Sequence, residues 1–218
     1  MQMPEFMIDL SNKLFKFYLI FYLFNMNIYL IRHGESTSDT KNKYDGDYDD
    51  HLTENGLQDA KTIAKKLNGS SIEVVFTSPK IRAREASKII SDALGCKTSV
   101  MDDLAEQDIY GAYLELGKNQ PEEEYRRLGE ILVNRDNVVE GSETYKNFKE
   151  RVVKCFLDIT HQSFENIAIV THGGPIRCIF REILALGEFK KIGNGAIIEL
   201  KQEGSVLSVV NMDNAILK

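Results

Sequence analysis

Cysteine is scarce in this chain, and the three present are scattered. Cys96, Cys155 and Cys178 form no CxxC pair and no Cys/His cluster. That argues against a disulfide framework or a zinc site and makes a reducing cytoplasm the expected compartment. Positive charge is also in deficit, with 27 Lys and Arg against 33 Asp and Glu, a net charge of -6 and a pI near 5.4. Nucleic acid is therefore not an expected partner, and any anion site has to be assembled locally from a few cations. There is no P-loop and no carboxylate trio suited to Mg²⁺, so no metal or other cofactor is expected. Internal repeats, low-complexity tracts and Pro/Gly-rich linkers are missing too, and 218 residues suit one substantial domain with its own core. Hydrophobic content of 43% and charged content of 28% fit a globular protein.

Residues 1–25 differ from the rest. Their uninterrupted apolar stretch, 17–24, is eight residues long, whereas a membrane-spanning helix needs roughly 20. Lys13 and Lys16 precede it as in a signal peptide, but no small-residue cleavage site follows. The segment reads first as an in-frame extension upstream of a start at Met26. A membrane-associating segment over 14–24 and a processed signal are the alternatives. The domain itself is expected over 26–218.

From Met26 strand and helix alternate. Residues 27–32 are apolar without polar alternation, as in a strand covered on both faces. A polar, turn-rich stretch follows over 37–51, with Asp45-Gly46 inside it. Thr53 is placed to cap a helix carrying Leu57, Ala60, Ile63, Ala64 and Leu67 on one face. A second strand is expected over 72–76. Ser78 is read as the cap of the next helix, with Pro79 at its first position, running to Gly95. A third strand over 97–101 leads into a loop-rich region, 102–141, with a polar helix after Pro121. Ser142 is read as the start of a long amphipathic helix bearing Tyr145, Phe148, Val152, Phe156 and Ile159. Then come a strand over 166–171, a helix near 175–185, and strands near 195–200 and 205–210. The alternation predicts an α/β chain, a three-layer α/β/α sandwich over a mainly parallel sheet.

Only four histidines occur, and two of them end apolar strands and precede glycine: His33 before Gly34, and His172 before Gly173-Gly174. Arg82 falls just past the second strand. In a parallel sheet these transitions share one carboxyl edge, where open α/β sheets bind ligands. One pocket can then gather Arg32, His33, Arg82 and His172. Guanidiniums offer forked, permanently charged donors that match phosphate oxygens, and the glycines let backbone amides approach. A neutral imidazole there can attack phosphorus and split one displacement into two. The second histidine, if protonated, would help neutralise the transferring group. A carboxylic acid is needed nearby to protonate the leaving oxygen. Taken singly, either histidine is also a capped strand-end residue. Their register with two arginines favours the catalytic reading. His51 and His161 read as surface or helix-side residues, and Arg84, Glu85, Lys88, Arg126 and Arg127 as solvated helix faces.

These residues carry a resemblance. The run Arg32-His33-Gly34-Glu35-Ser36 resembles the RHGE(S/T) hallmark of the histidine phosphatase superfamily, in its phosphoglycerate-mutase-like branch. Asp49 with Leu52-Thr53-Glu54-Asn55-Gly56 resembles its D-x-x-LTxxG element, and Thr77-Ser78-Pro79-Lys80-Ile81-Arg82-Ala83 its (T/S)SPxxRA element. Glu143-Thr144-Tyr145 resembles the start of the family's long helix, and Thr171-His172-Gly173-Gly174-Pro175-Ile176-Arg177 its second hallmark. The resemblance implies a phosphoglycerate-mutase-like fold. It implies His33 as nucleophile and Arg32, Arg82 and His172 as phosphate ligands; Gly34, Ser36 and Gly173 are expected to bind the phosphate with them. It also implies a glutamic acid after the third strand, here Glu106. Gly111 stands five residues after Glu106 where the family spacing is four, which puts Gln107 in the alternative register. Gln has no titratable proton, so Glu106 is preferred, with Asp108 as fallback. Asp39 stands where many relatives carry Asn, and an anion there repels the ligand unless it faces a hydroxyl or an arginine.

The activity implied is metal-independent hydrolysis of a small phosphomonoester. Tyr110-Gly111-Ala112 and Lys118 resemble a mutase substrate segment, so a bisphosphoglycerate-dependent mutase is the runner-up. Only residues 128–140 separate Arg127 from Gly141, however, and the last strand lies close to the C-terminus. Mutases of the family this chain resembles usually carry a longer insertion and tail there to shield a phosphohistidine from water, so the resemblance implies hydrolysis. A non-catalytic relative that binds a phosphorylated ligand is the third reading.

Overall fold

The computed structural model of the chain describes residues 25–40, 50–109 and 121–218. The expectations for the N-terminal extension, Asp49, the Asp45-Gly46 turn, Tyr110-Gly111-Ala112 and Lys118 lie outside those residues.

Six strands form one sheet: β1 (Asn25–Arg32), β2 (Val74–Thr77), β3 (Lys97–Val100), β4 (Asn166–Thr171), β5 (Phe189–Glu203) and β6 (Val206–Leu217). Their order is β3-β2-β4-β1-β5-β6. β1, β2, β3 and β4 run parallel, whereas β5 lies antiparallel to β1 and β6 antiparallel to β5. The sheet is thus mainly parallel, as the strand-helix alternation predicts. The last two strands are longer than expected and form a hairpin along one edge. β1 begins two residues earlier than expected and buries Met26 in the core.

Among the described residues the helices are α1 (Glu54–Lys66), α2 (Ile81–Leu94), α3 (Glu122–Val133), α4 (Tyr145–Thr160) and α5 (Gly173–Glu182). On one face Ile31, Val75, Ala168 and Val170 pack against Ala60, Ile63 and Ala64 of α1 and Ala83, Ala86 and Ile90 of α2. On the other, Ile28, Leu30, Phe76, Ile167 and Ile169 pack against Phe148, Val152, Phe156 and Ile159 of α4 and Ile176, Ile179 and Phe180 of α5. Helices therefore sandwich the sheet. Because both faces are covered, β1 and β4 are apolar without alternation. Burial of each such large side chain contributes about 1.5–3 kcal/mol relative to exposure.

Side-chain caps set the starts of α1 and α4, and the starts of α2 and α4 differ from expectation. Thr53 caps α1, its hydroxyl accepting from the Gly56 amide at 3.1 Å. α4 is capped by Thr144, which accepts from the Asn147 amide at 3.2 Å. Ser142 is instead in the preceding turn, bonded to the Val139 carbonyl. α2 begins at Ile81 after Lys80, so Ser78 is not its cap and Pro79 precedes its first turn. The Ser78 hydroxyl is engaged elsewhere. Among the described residues no helix is long and apolar enough to cross a membrane.

Candidate active site

Register brings the two histidines together. Arg32 of β1 pairs with Thr171 of the neighbouring β4, so His33 and His172 step off adjacent strands at the same level. Their ring centroids lie 5.0 Å apart in an edge-on arrangement. The His33 amide extends the ladder to the Thr171 carbonyl (3.1 Å), and the Gly195 amide holds the His33 carbonyl from β5 (3.0 Å). His33 is 4% exposed and His172 1%.

Partners fix the His33 tautomer. Its Nδ1 lies 2.7 Å from the Gly34 carbonyl, which only accepts. Its Nε2 receives the Nε–H of Arg82 at 3.1 Å, which only donates. Nδ1 therefore carries the proton and Nε2 the lone pair. Burial, and secondarily the charge on Arg82, push this imidazole down to about 4. His172 is held well below its ordinary value by burial and by neighbouring His33. Both rings are thus neutral near pH 7. Protonation of the second ring, which the sequence allows, is disfavoured by that burial. Its Nε2 lies 2.7 Å from the Ser78 hydroxyl.

The arginines are held by carboxylates. Arg82, buried on the first turn of α2, forms a 2.6 Å ion pair with buried Asp50. Asp50 also accepts from the Ser38 amide at 2.8 Å. Burial pulls its carboxyl upward, but hydrogen bonds from Ser38 and Ser36 and the charge on Arg82 outweigh that and leave it below the ordinary value. Arg32 donates to the Ile192 carbonyl (2.7 Å) and to Asp39 (3.2 Å). Asp39 in turn accepts from the amide (2.9 Å) and hydroxyl (3.0 Å) of Ser36. The anion at 39 therefore faces both an arginine and a hydroxyl. Among the described residues, Arg32 Nε and His172 Nδ1 are buried with no hydrogen-bond partner. Leaving such groups unpaired costs about 1–3 kcal/mol each, so a site that tolerates two of them is prepared for a ligand.

Glu106 reaches the same edge from the segment after β3. Its Oε2 accepts from the Gly174 amide in the first turn of α5 at 2.9 Å, and its Oε1 from the Gln107 amide at 2.9 Å. A Cβ on residue 174 would lie 1.8 Å from that carboxylate, so glycine there makes room for it. Gln107 instead donates to the Glu143 carbonyl at 2.9 Å. The geometry matches Glu106, not Gln107, as the residue directed at the second hallmark. At Gly173 a Cβ would meet open space.

With the two hallmark histidines side by side on one sheet edge, a sequence match over residues 28–215 decides the family. The chain belongs to the histidine phosphatase superfamily, branch 1. It is 27% identical over 176 residues to the metal-independent phosphoserine phosphatase of Arabidopsis thaliana, covering 78% of this chain and 74% of that one. It is 29% identical over 194 residues to the 2,3-bisphosphoglycerate-dependent phosphoglycerate mutase of Parvibaculum lavamentivorans, covering 82% and 92%. The fold of YhfR from Bacillus stearothermophilus superposes with a TM-score of 0.71 at 20% identity, over 85% of this chain and 95% of that one.

Membership in the histidine phosphatase superfamily accounts for the hallmark order, and the geometry adds residues that sequence reasoning missed. Asp50 orients Arg82, yet only its neighbour Asp49 was picked out by motif. Ser78 holds His172, and its position within Thr77-Ser78-Pro79 was the available signal. Glu85, read as a solvated face, accepts from the Leu52 amide (2.8 Å) and lies 2.6 Å from exposed His51. Arg126 does pair within its own exposed helix, with Glu130 at 2.8 Å. Gly34 has a packing reason distinct from any ligand contact, since its Cβ would lie 2.5 Å from the Gly56 carbonyl oxygen. Among the described residues no group of three or more His, Cys, Asp or Glu is placed to hold a metal ion.

Proposed function

We propose that this chain is a phosphatase that hydrolyses a small phosphomonoester through a phosphohistidine on His33. The observation that carries this reading is the His33 ring itself. It is buried and neutral, with its proton tied to the Gly34 carbonyl and its Nε2 lone pair on the side of Arg82. In the first step the Arg82 Nε–H turns from Nε2 to a phosphoryl oxygen, the freed lone pair attacks phosphorus, the phosphorus–oxygen bond to the alcohol breaks, and the departing oxygen takes the proton of the Glu106 carboxylic acid. In the second step the Glu106 carboxylate accepts a proton from water. The water oxygen attacks phosphorus, the phosphorus–nitrogen bond breaks, and inorganic phosphate leaves with Glu106 protonated again. Arg32 and Arg82 supply counter-charge to the phosphoryl oxygens throughout, with Gly34, Ser36 and Gly173 lining the same edge. The buried, unpartnered His172 Nδ1 and Arg32 Nε give those oxygens donors that nothing else uses. His172 Nδ1 donates when its Nε2 accepts the Ser78 hydroxyl proton in a hydrogen bond.

Phosphoserine and phosphoglycerate, named for the relatives, head the substrate panel. The mutase reading has the 29% identity to a bisphosphoglycerate-dependent enzyme on its side. The short span between α3 and α4 favours water as acceptor. The test assays the full chain, dialysed against chelator, for phosphate release from p-nitrophenyl phosphate and that panel. Turnover that vanishes in His33→Ala is expected. Silence on all substrates with isomerisation of 3-phosphoglycerate only after bisphosphoglycerate priming would replace this reading with the mutase. Silence in both assays would favour a phospho-ligand-binding relative.

A further inference from the structure

Glu106 lies in a segment without regular structure beyond the short 3₁₀ turn Asp102–Leu104. Something outside that segment has to fix its carboxyl to the sub-ångström tolerance that proton transfer requires. Two contacts come from near the site: the Thr171 hydroxyl donates to the Leu104 carbonyl at 2.7 Å, and Gly174 donates to the carboxylate. Most of the remaining contacts come from Arg151, on the second turn of α4.

Its Nη1 donates to the carbonyls of Asp103 (2.8 Å) and Ala105 (2.9 Å), and its Nη2 to the carbonyl of Glu106 itself (3.1 Å). Nε and Nη2 also form a bidentate pair with Glu143, both at 2.7 Å. The guanidinium lies 5.0 Å from the centre of the Phe148 ring. Glu143 is stitched to the same segment: its carboxylate accepts from the Asp108 amide at 3.2 Å, and its own amide donates to the Asp108 carbonyl at 2.5 Å. All five N–H directions of the planar guanidinium are thereby used. A lysine ammonium cannot span three carbonyls and a bidentate carboxylate at once.

We propose that Arg151, locked by Glu143, is a positioning residue that aims the Glu106 carboxyl at the leaving oxygen. The inference rests on the reading of Glu106 as proton donor. Arg151 touches the backbone behind the acid and acts only through it. Its loss should therefore be felt in proportion to the proton the leaving group needs.

The test compares kcat/KM for p-nitrophenyl phosphate, whose phenolate departs without help, with that for benzyl phosphate, whose alkoxide does not. Full-length wild type, Glu106→Gln, Arg151→Ala, Arg151→Lys and Glu143→Gln are measured. The benzyl-to-nitrophenyl ratio is independent of the folded fraction, because both substrates report the same active molecules. For Glu106→Gln the ratio should fall on the order of 10²-fold or more, the usual scale of general acid catalysis. Both Arg151 variants should lower it by about 10-fold or more, as expected for a misplaced catalytic group. Glu143→Gln should shift it in the same direction by less. In a Glu106→Gln background, Arg151→Ala should change the ratio no further.

A collapse in Glu106→Gln with an unchanged ratio in both Arg151 variants would overturn the positioning role and leave the proton-donor reading intact. An unchanged ratio in Glu106→Gln would overturn that reading and this inference with it. If the Arg151 variants do not fold, Glu143→Gln decides. A lowered ratio there supports the role, and an unchanged one overturns it.

Discussion

His33 is a histidine kept from behaving like one. An exposed imidazole is half protonated near 6.5 and then has no lone pair at one nitrogen. Burial and Arg82 bring this ring down to about 4, so the proposed nucleophile stays available throughout the mildly acidic range. The same shift predicts how stability responds to acid. Between 6.5 and about 4 the unfolded chain binds a proton at this position that the folded chain does not, so stability is lost as pH falls through that window. His172, held well below its ordinary value, adds to the loss in the same direction. Denaturant unfolding at pH 7 and pH 4.5 should show the decline, and His33→Asn should reduce it. NMR titration should place the His33 ring near 4, and a midpoint near 6.5 would contradict this account. The two arginines of the site are each balanced by a carboxylate. Asp50 neutralises Arg82 and Asp39 neutralises Arg32, which keeps two guanidiniums compatible with a buried edge.

The transition from β1 to α1 shows how elements were, and were not, legible beforehand. Thr53 was readable as a cap because its spacing to an apolar face was clear. The glycines were readable only as glycines. What they do is let the loop after β1 and the start of α1 touch backbone to backbone. A Cβ on residue 56 would lie 1.9 Å from the Glu35 carbonyl oxygen, and one on residue 34 would lie 2.5 Å from that of Gly56. Gly56→Ala must therefore move backbone two residues from His33. It should cost about 1–3 kcal/mol, as overpacking does, and lower kcat/KM as well. Gly95, at φ +69 with nothing near its Cβ position, is the contrasting case. Gly95→Ala should cost about 1 kcal/mol from conformation alone and leave kcat/KM unchanged. Denaturant midpoints and p-nitrophenyl phosphate kinetics on the two variants check both expectations. Ser78 and Ser142 failed as caps for a related reason. Cap residues are chosen by composition, but a serine beside a buried histidine has a stronger claim on its hydroxyl. Thr144, two residues on, already caps α4 through the Asn147 amide.

At the scale of the molecule, the parallel β1-β2-β4 core followed directly from two-sided apolar runs separated by amphipathic helices. The antiparallel β5-β6 hairpin did not, since pairing direction leaves no mark on a short apolar strand. His33, His172, Arg32 and Arg82 were legible because all four sit at strand-to-helix transitions that a parallel sheet must align. Asp50, Ser78 and Arg151 were not, because each acts through a partner distant in sequence. The proposed mechanism requires that phosphate pass through His33 Nε2. The most direct measurement incubates the full chain with ³²P-labelled substrate, quenches in alkali and maps the label. Transfer through His33 predicts an alkali-stable, acid-labile phosphoryl group on that residue that is absent from His33→Ala. Label on an acyl or hydroxyl side chain, or undiminished hydrolysis in His33→Ala, would contradict it.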